Sequence, residues 1–194
     1  KLYTEGAKYF SAFMKKNKSD SVVQQMYLDS LLHMYDARIE YFPRKKAYVQ
    51  GKYGTQLFKY RPAEYEKAQT YLKPSIDSGK EKSAASALQS YYYTIYMQYA
   101  SAVESKDSLM KVNKKIELLK EFVRISDFVD GGISLAKKEA QKASYEKVRK
   151  NLLKIFLQVE SDCESLLNLV KNNLVVEGDA ESMKTAVTIL TLKE

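Results

Sequence analysis

Chemistry on side chains needs titratable or nucleophilic groups that can converge, and this sequence offers few. Its single histidine, His33, stands three and seven residues before Asp36 and Glu40. That spacing places all three on one side of a helix, opposite its apolar stripe, where a solvated polar face accounts for them. Any Ser-His-Asp or Cys-His unit would have to recruit this same histidine. Zinc catalysis asks for three converging protein ligands, and beside His33 there is one cysteine, Cys163, which falls on an apolar stripe where a thiol packs as a small hydrophobe. Carboxylate pairs alone can hydrolyse glycosides. The pairs Glu64/Glu66 and Glu117/Glu121 and the group Glu160/Asp162/Glu164 lie at helix starts or on polar faces, where capping and the helix dipole explain them. The run Gly51-Lys-Tyr-Gly54 lacks the ending of a phosphate loop, and Gly131-Gly132 follows a helix instead of a strand. The expectation is a protein that is not an enzyme and uses no metal and no cofactor.

What remains is architecture. The chain has 194 residues with only seven glycines and three prolines, and 45% of its residues are apolar. Punctuation that sparse does not suit a many-turned β protein, so a mostly helical chain is expected, read as one domain over residues 1–194. No apolar run approaches the roughly 20 residues that span a bilayer. A net charge of +8 is unevenly placed: residues 1–61 hold twelve Lys/Arg against five Asp/Glu, and the rest twenty against nineteen. Such asymmetry can mark an anionic partner, although no Arg-rich run accompanies it and a solvated basic face is the simpler account.

Apolar periodicity divides the chain into about nine helices. Residues 2–17 form the first. Ser19-Asp20 caps a second, striped by Leu28, Leu31, Leu32, Tyr35, Ile39 and Phe42 and stopped by Pro43. The third, 47–60, carries Gly51 and Gly54, each costing about 1 kcal/mol against alanine in a helix interior, so a neighbouring helix is expected to come close there. Pro62 opens the fourth, Pro74 should kink it or end it early, and Gly79 is expected to close it in a left-handed cap. The fifth holds "SYYYTIYMQYA" (90–100). Tyr92, Tyr96 and Tyr99 fall with Leu88 and Ile95 within about 120° of a helical wheel, which makes them core; Tyr91 sits at the margin, and Tyr93 and Met97 point away. Asp107 begins a sixth helix, apolar on two sides and ended by Gly131-Gly132. Tyr145 to Val159 mark a seventh. A capping box at 161–164 precedes an eighth stripe, and Asp179 starts a ninth.

Several of these residues resemble tetratricopeptide repeats. Gly54 and Leu57 stand like the small and large positions of L-G-x-x-Y, Ala68 and Leu72 like A-x-x-x-F, and one helical pair recurs after about 36 residues, close to the family period of 34. The segments "YLDSLLHMYDARIEYF" (27–42), "AYVQGKYGTQLFKYRP" (47–62), "EYEKAQTYLKPSID" (64–77) and "SDCESL" (161–166) resemble the tetratricopeptide-type proteins exported to the envelope by Bacteroides-group bacteria. That resemblance implies an all-α stack of antiparallel helix pairs forming a right-handed superhelix or α-solenoid. It also implies a signal peptide lost upstream, a place in the periplasm or at the outer membrane with peripheral association, and no catalytic residues. A stack of this kind presents side chains along a concave wall. Tyr48, Lys52, Tyr93 and Met97 are the candidates for that wall, and a protein or peptide is the expected partner. The alternative is an anionic polymer, acidic glycan before nucleic acid, held by the basic first third.

Overall fold

The computed structural model describes residues 2–105 and 107–159. It is all-α among these residues: α1 (Leu2–Lys16), α2 (Ser21–Tyr41), α3 (Lys46–Tyr60), α4 (Tyr65–Gly79), α5 (Ala85–Glu104), α6 (Ser108–Leu135) and α7 (Glu139–Val159). Short 3-10 turns at Pro43–Lys45, Pro62–Glu64 and Lys80–Lys82 join α2 to α3, α3 to α4 and α4 to α5. The expected eighth and ninth helices, with Cys163, lie outside the described residues. Internal contacts gather into two units, residues 1–94 and 95–194, and the boundary falls within α5.

In the first unit α1, α2 and α3 each pack antiparallel on the helix that follows, as the pairing of residue numbers shows. Phe13 stacks on Tyr27 with ring centroids 5.2 Å apart, while Tyr3 meets Phe42 edge-on at 5.6 Å, so α1 rises as α2 descends. Arg61, which closes α3, donates to Gln25 Oε1 and Asp29 Oδ1 near the start of α2, both at 2.6 Å. A Cβ on Gly51 would stand 2.5 Å from Ser75 Oγ. One on Gly54 would lie 2.5 Å from Leu72 Cγ and 2.8 Å from the Ala68 carbonyl oxygen. The two helix-interior glycines thus mark where α4 presses on α3, as their cost in the sequence implied. Leu28, Leu31, Val49, Leu57, Ala68, Leu72 and Ile76 are fully buried between these helices.

Asp20 is the N-cap of α2, its side chain accepting from the Val23 amide at 3.0 Å, and Asp107 does the same for α6 from Met110 at 2.9 Å. Three expectations need correction. Helix α4 runs through the exposed Pro74 to Gly79 without an early end, because Ser75 and Ile76 beyond it are buried. Gly79 keeps right-handed helical angles (φ −85°, ψ −32°), and the positive φ, 46°, falls on Lys80. Gly131-Gly132 does not end α6, which continues to Leu135; Gly132 is where the Tyr145 ring of α7 lies against the helix, 2.6 Å from any added Cβ.

In the second unit α6 and α7 are also antiparallel, with Phe122 stacked on Phe156 at 4.6 Å and Gly132 opposite Tyr145. Of the two apolar sides of α6, the one carrying Leu118, Phe122, Ile125 and Val129 is buried. The other is buried only from Leu119 onward, and Leu109 and Val112 are exposed among the described residues. The tyrosine-rich stretch of α5 is buried over a different arc from the one expected. Tyr91, Tyr92, Thr94 and Ile95 are buried, with the Thr94 hydroxyl donating to the Tyr91 carbonyl at 2.7 Å, whereas Tyr96 and Tyr99 are half-buried. The spacing of the helical pair is longer than the expected value of about 36: 39 residues (85 − 46) separate the start of α3 at Lys46 from that of α5 at Ala85, with the 3-10 turns Pro62–Glu64 and Lys80–Lys82 between them.

Candidate functional site

Helix α3 turns two faces to two environments. Val49, Tyr53 and Leu57, four apart, are buried against its neighbours; Tyr48, Lys52, Thr55 and Gln56 recur on a separate polar side. That polar side lines an open groove of about 890 Å³ in the first unit. Thr4 and Ser11 of α1, Tyr35 and Arg38 of α2, Arg44 and Lys45 of the first 3-10 turn, Lys82 and Ser83 after α4, and Ser86 and Ala87 of α5 complete it, with Gly51 and Ser75 where α3 and α4 meet. Two smaller cavities share its walls. One, of about 520 Å³, is walled by Tyr3, Tyr41, Phe42 and Pro43 together with Arg38, Arg44 and Lys45. The other, of about 370 Å³, lies along α1 at Lys8 and Lys15 and again includes Arg38 and Lys52.

The electrostatics are one-sided. Among the described residues, every charged side chain lining the three cavities is Lys or Arg, and none is Asp or Glu. Arg38 lines all three. The ion pairs of this unit lie elsewhere, at Arg61 with Asp29 and Glu64, at Lys67 with Glu64 and at Lys73 with Asp77. Among the described residues the one lining cation in an ion pair is Lys8, with Glu5 at 2.9 Å. Lys52 rests over the Tyr48 ring, its Nζ 4.8 Å from the centroid, and Tyr48 is exposed. Beneath them Tyr35 is buried. Burial pushes its phenol up to about 12, nearby Tyr48 adds to the rise, and Arg38 opposes it, so Tyr35 stays neutral throughout the physiological range.

Of the four wall residues expected from sequence, Tyr48 and Lys52 are brought together in the groove. Tyr93 is half-buried on α5 and lines none of the three cavities, and Met97 belongs to the second unit. Sequence reasoning missed Arg38, Arg44, Lys45 and Lys82. A signal for Arg38 existed: it follows Leu31 and Tyr35 by seven and three residues, so it stands on the margin of the stripe that packs α2. His33 and Asp36 are exposed on α2 and outside the groove. The Asp36 carboxyl is raised by partial burial. A hydrogen bond from the Tyr71 hydroxyl at 3.4 Å and the neighbouring His33 and Lys67 oppose that shift.

Among the described residues no group of three His, Cys, Asp or Glu is arranged to hold a metal ion, and no helix is long and apolar enough to cross a membrane. Compared with protein-family models, with curated proteins and with solved structures, the chain matches none in any of the three. The fold and the groove therefore stand on their own physical description: an all-helical, repeat-like stack of contacting helices.

Proposed function

We propose that this chain is a non-enzymatic scaffold whose first unit holds a segment of a protein or peptide partner in the groove along α3. The observation that carries the reading is the polar side of α3, with Tyr48 and Lys52, left open between α1 and the start of α5 while its other side is buried. If α1, α3 and α5 are taken as the first helices of successive pairs, the groove lies along those first helices, where a tetratricopeptide-type stack offers side chains to a partner. The volume is within the range of sites that enclose a compact ligand, and an extended wall of modest contacts suits a peptide better than a small metabolite. The resemblance of residues 27–77 to exported envelope proteins supports a periplasmic or outer-membrane-associated setting.

The test is selection from a displayed library of random peptides, followed by binding assays on Tyr48→Ala and Lys52→Glu. Each substitution should weaken the selected peptides about tenfold, typical of an interface anchor, and leave the helical circular dichroism unchanged. Tyr93→Ala should leave binding intact. Peptides that bind equally well to both groove variants would remove this surface from the reading.

A further inference from the structure

Arg38, Arg44, Lys45, Lys52 and Lys82 line one groove, and among the described residues none of them forms an ion pair, so their like charges raise the potential there. A ligand that supplies carboxylates lowers that potential, and a cationic or neutral one does not. The 520 Å³ cavity next to them is different in character: Tyr41 and Phe42 are 64% and 51% exposed there, a greasy recess at the end of a charged channel. Arg38, Arg44 and Lys45 line both spaces. We propose that the segment taken by the groove is acidic and carries a bulky apolar side chain beside its carboxylates. The carboxylates lie along Arg38, Arg44, Lys45 and Lys52, and the apolar side chain enters the recess at Tyr41 and Phe42. This rests on the scaffold reading above and names its partner class.

A single-stranded nucleic acid would also seek basic and aromatic groups, but it needs open ring faces on which successive bases stack. Here the half-exposed Phe42 ring is shared with Tyr3 at an interplanar angle of 71°, and one face of the exposed Tyr48 ring carries Lys52, so each offers a base only part of its surface. Hydroxyls that would multiply contacts to phosphate or sugar are partly engaged within their own helices: Thr55 donates to the Gly51 carbonyl at 2.7 Å and Ser11 to that of Ala7 at 2.8 Å. Guanidinium and ammonium groups gathered along one short groove match a few carboxylates better than a long continuous backbone.

The experiment compares short fluorescent peptides of equal length: one of Glu and Asp with a central Phe, the same with Ala for Phe, the same with Gln and Asn for the acids, and one of Lys with Phe. An oligothymidylate and an acidic polysaccharide serve as rival ligands. The acidic Phe peptide should bind best and weaken steeply with salt in the unmodified protein. It should lose about tenfold or more on Lys52→Glu and on Arg38→Glu, and nothing on Lys73→Glu, an exposed cation outside the cavities. Phe42→Ala should bring it down to the Ala peptide. The salt titration requires no variant, so misfolding of Arg38→Glu does not shield the proposal. Gln/Asn or Lys peptides that bind as tightly, yet still depend on Lys52, would overturn the acidic assignment and leave the scaffold reading standing. Peptide binding indifferent to every groove variant would overturn both. Tighter capture of the oligothymidylate or the polysaccharide than of any peptide would replace a protein partner with a polymer.

Discussion

Lys80 holds φ 46° and ψ −127° at the close of α4, a region in which a Cβ crowds the backbone and only glycine is at ease. Its amide still caps the helix by donating to the Ile76 carbonyl, so the conformation is kept by the turn and not by the residue. Lys80→Gly should therefore stabilise the protein by about 0.5–1 kcal/mol, read as a higher urea midpoint with an unchanged slope. Tyr35 and Tyr53 give a second prediction at this scale. Burial raises the Tyr35 phenol from 10.0 to about 12. The Tyr53 phenol is pushed higher still by burial first, then by its hydrogen bond with Tyr71 and by the charge of Asp36. A phenol whose pKa is raised by folding stabilises the fold fully below its unfolded value and ceases to as pH climbs through the folded one. Stability should thus hold up to about pH 10 and fall between there and about pH 12. Tyr35→Phe should flatten that fall, measured by urea denaturation at stepped pH alongside phenolate absorbance.

Between elements the decisive contacts are made by absent side chains. A methyl group on Gly54 would meet a backbone carbonyl at 2.8 Å, and α4 cannot yield there without moving as a whole. Gly54→Ala should destabilise by about 1–3 kcal/mol despite the roughly 1 kcal/mol that alanine gains in helix propensity, and thermal denaturation will show it. That close approach was legible because two glycines inside a helical pattern need a reason. So were the stop at Pro43, the cap at Asp20 and the start at Asp107, since each is decided within one turn of chain. Gly131-Gly132 misled for the opposite reason: whether a glycine pair ends a helix or admits a ring depends on Tyr145, thirteen residues beyond Gly132. The tyrosines of α5 show the same limit. Their spacing gives a stripe, but which side of the stripe is covered, Tyr91 or Tyr99, is set by the neighbours and not by the helix. The groove was half legible, through Tyr48 and Lys52 on α3. Arg38 and Lys82 come from other elements, and only tertiary packing puts them beside Lys52.

Over the whole molecule the charge follows the division into two units. Residues 1–94 hold sixteen Lys/Arg against nine Asp/Glu, and residues 95–194 hold sixteen against fifteen. Excess positive charge within one compact unit opposes its folding through self-repulsion, and the cations lining the groove concentrate it. Added salt should raise the melting temperature by screening them. Arg38→Glu should blunt that rise, with calorimetry as the measurement. Sixteen tyrosines and no tryptophan also make this chain optically quiet at long wavelengths. Tyr48, exposed beneath the Lys52 ammonium, is the place to end that silence. A Tyr48→Trp protein would carry one indole with a positive charge resting on its face, and any arriving carboxylate that drew the charge away would announce itself as a change of emission colour, with no label attached to either party.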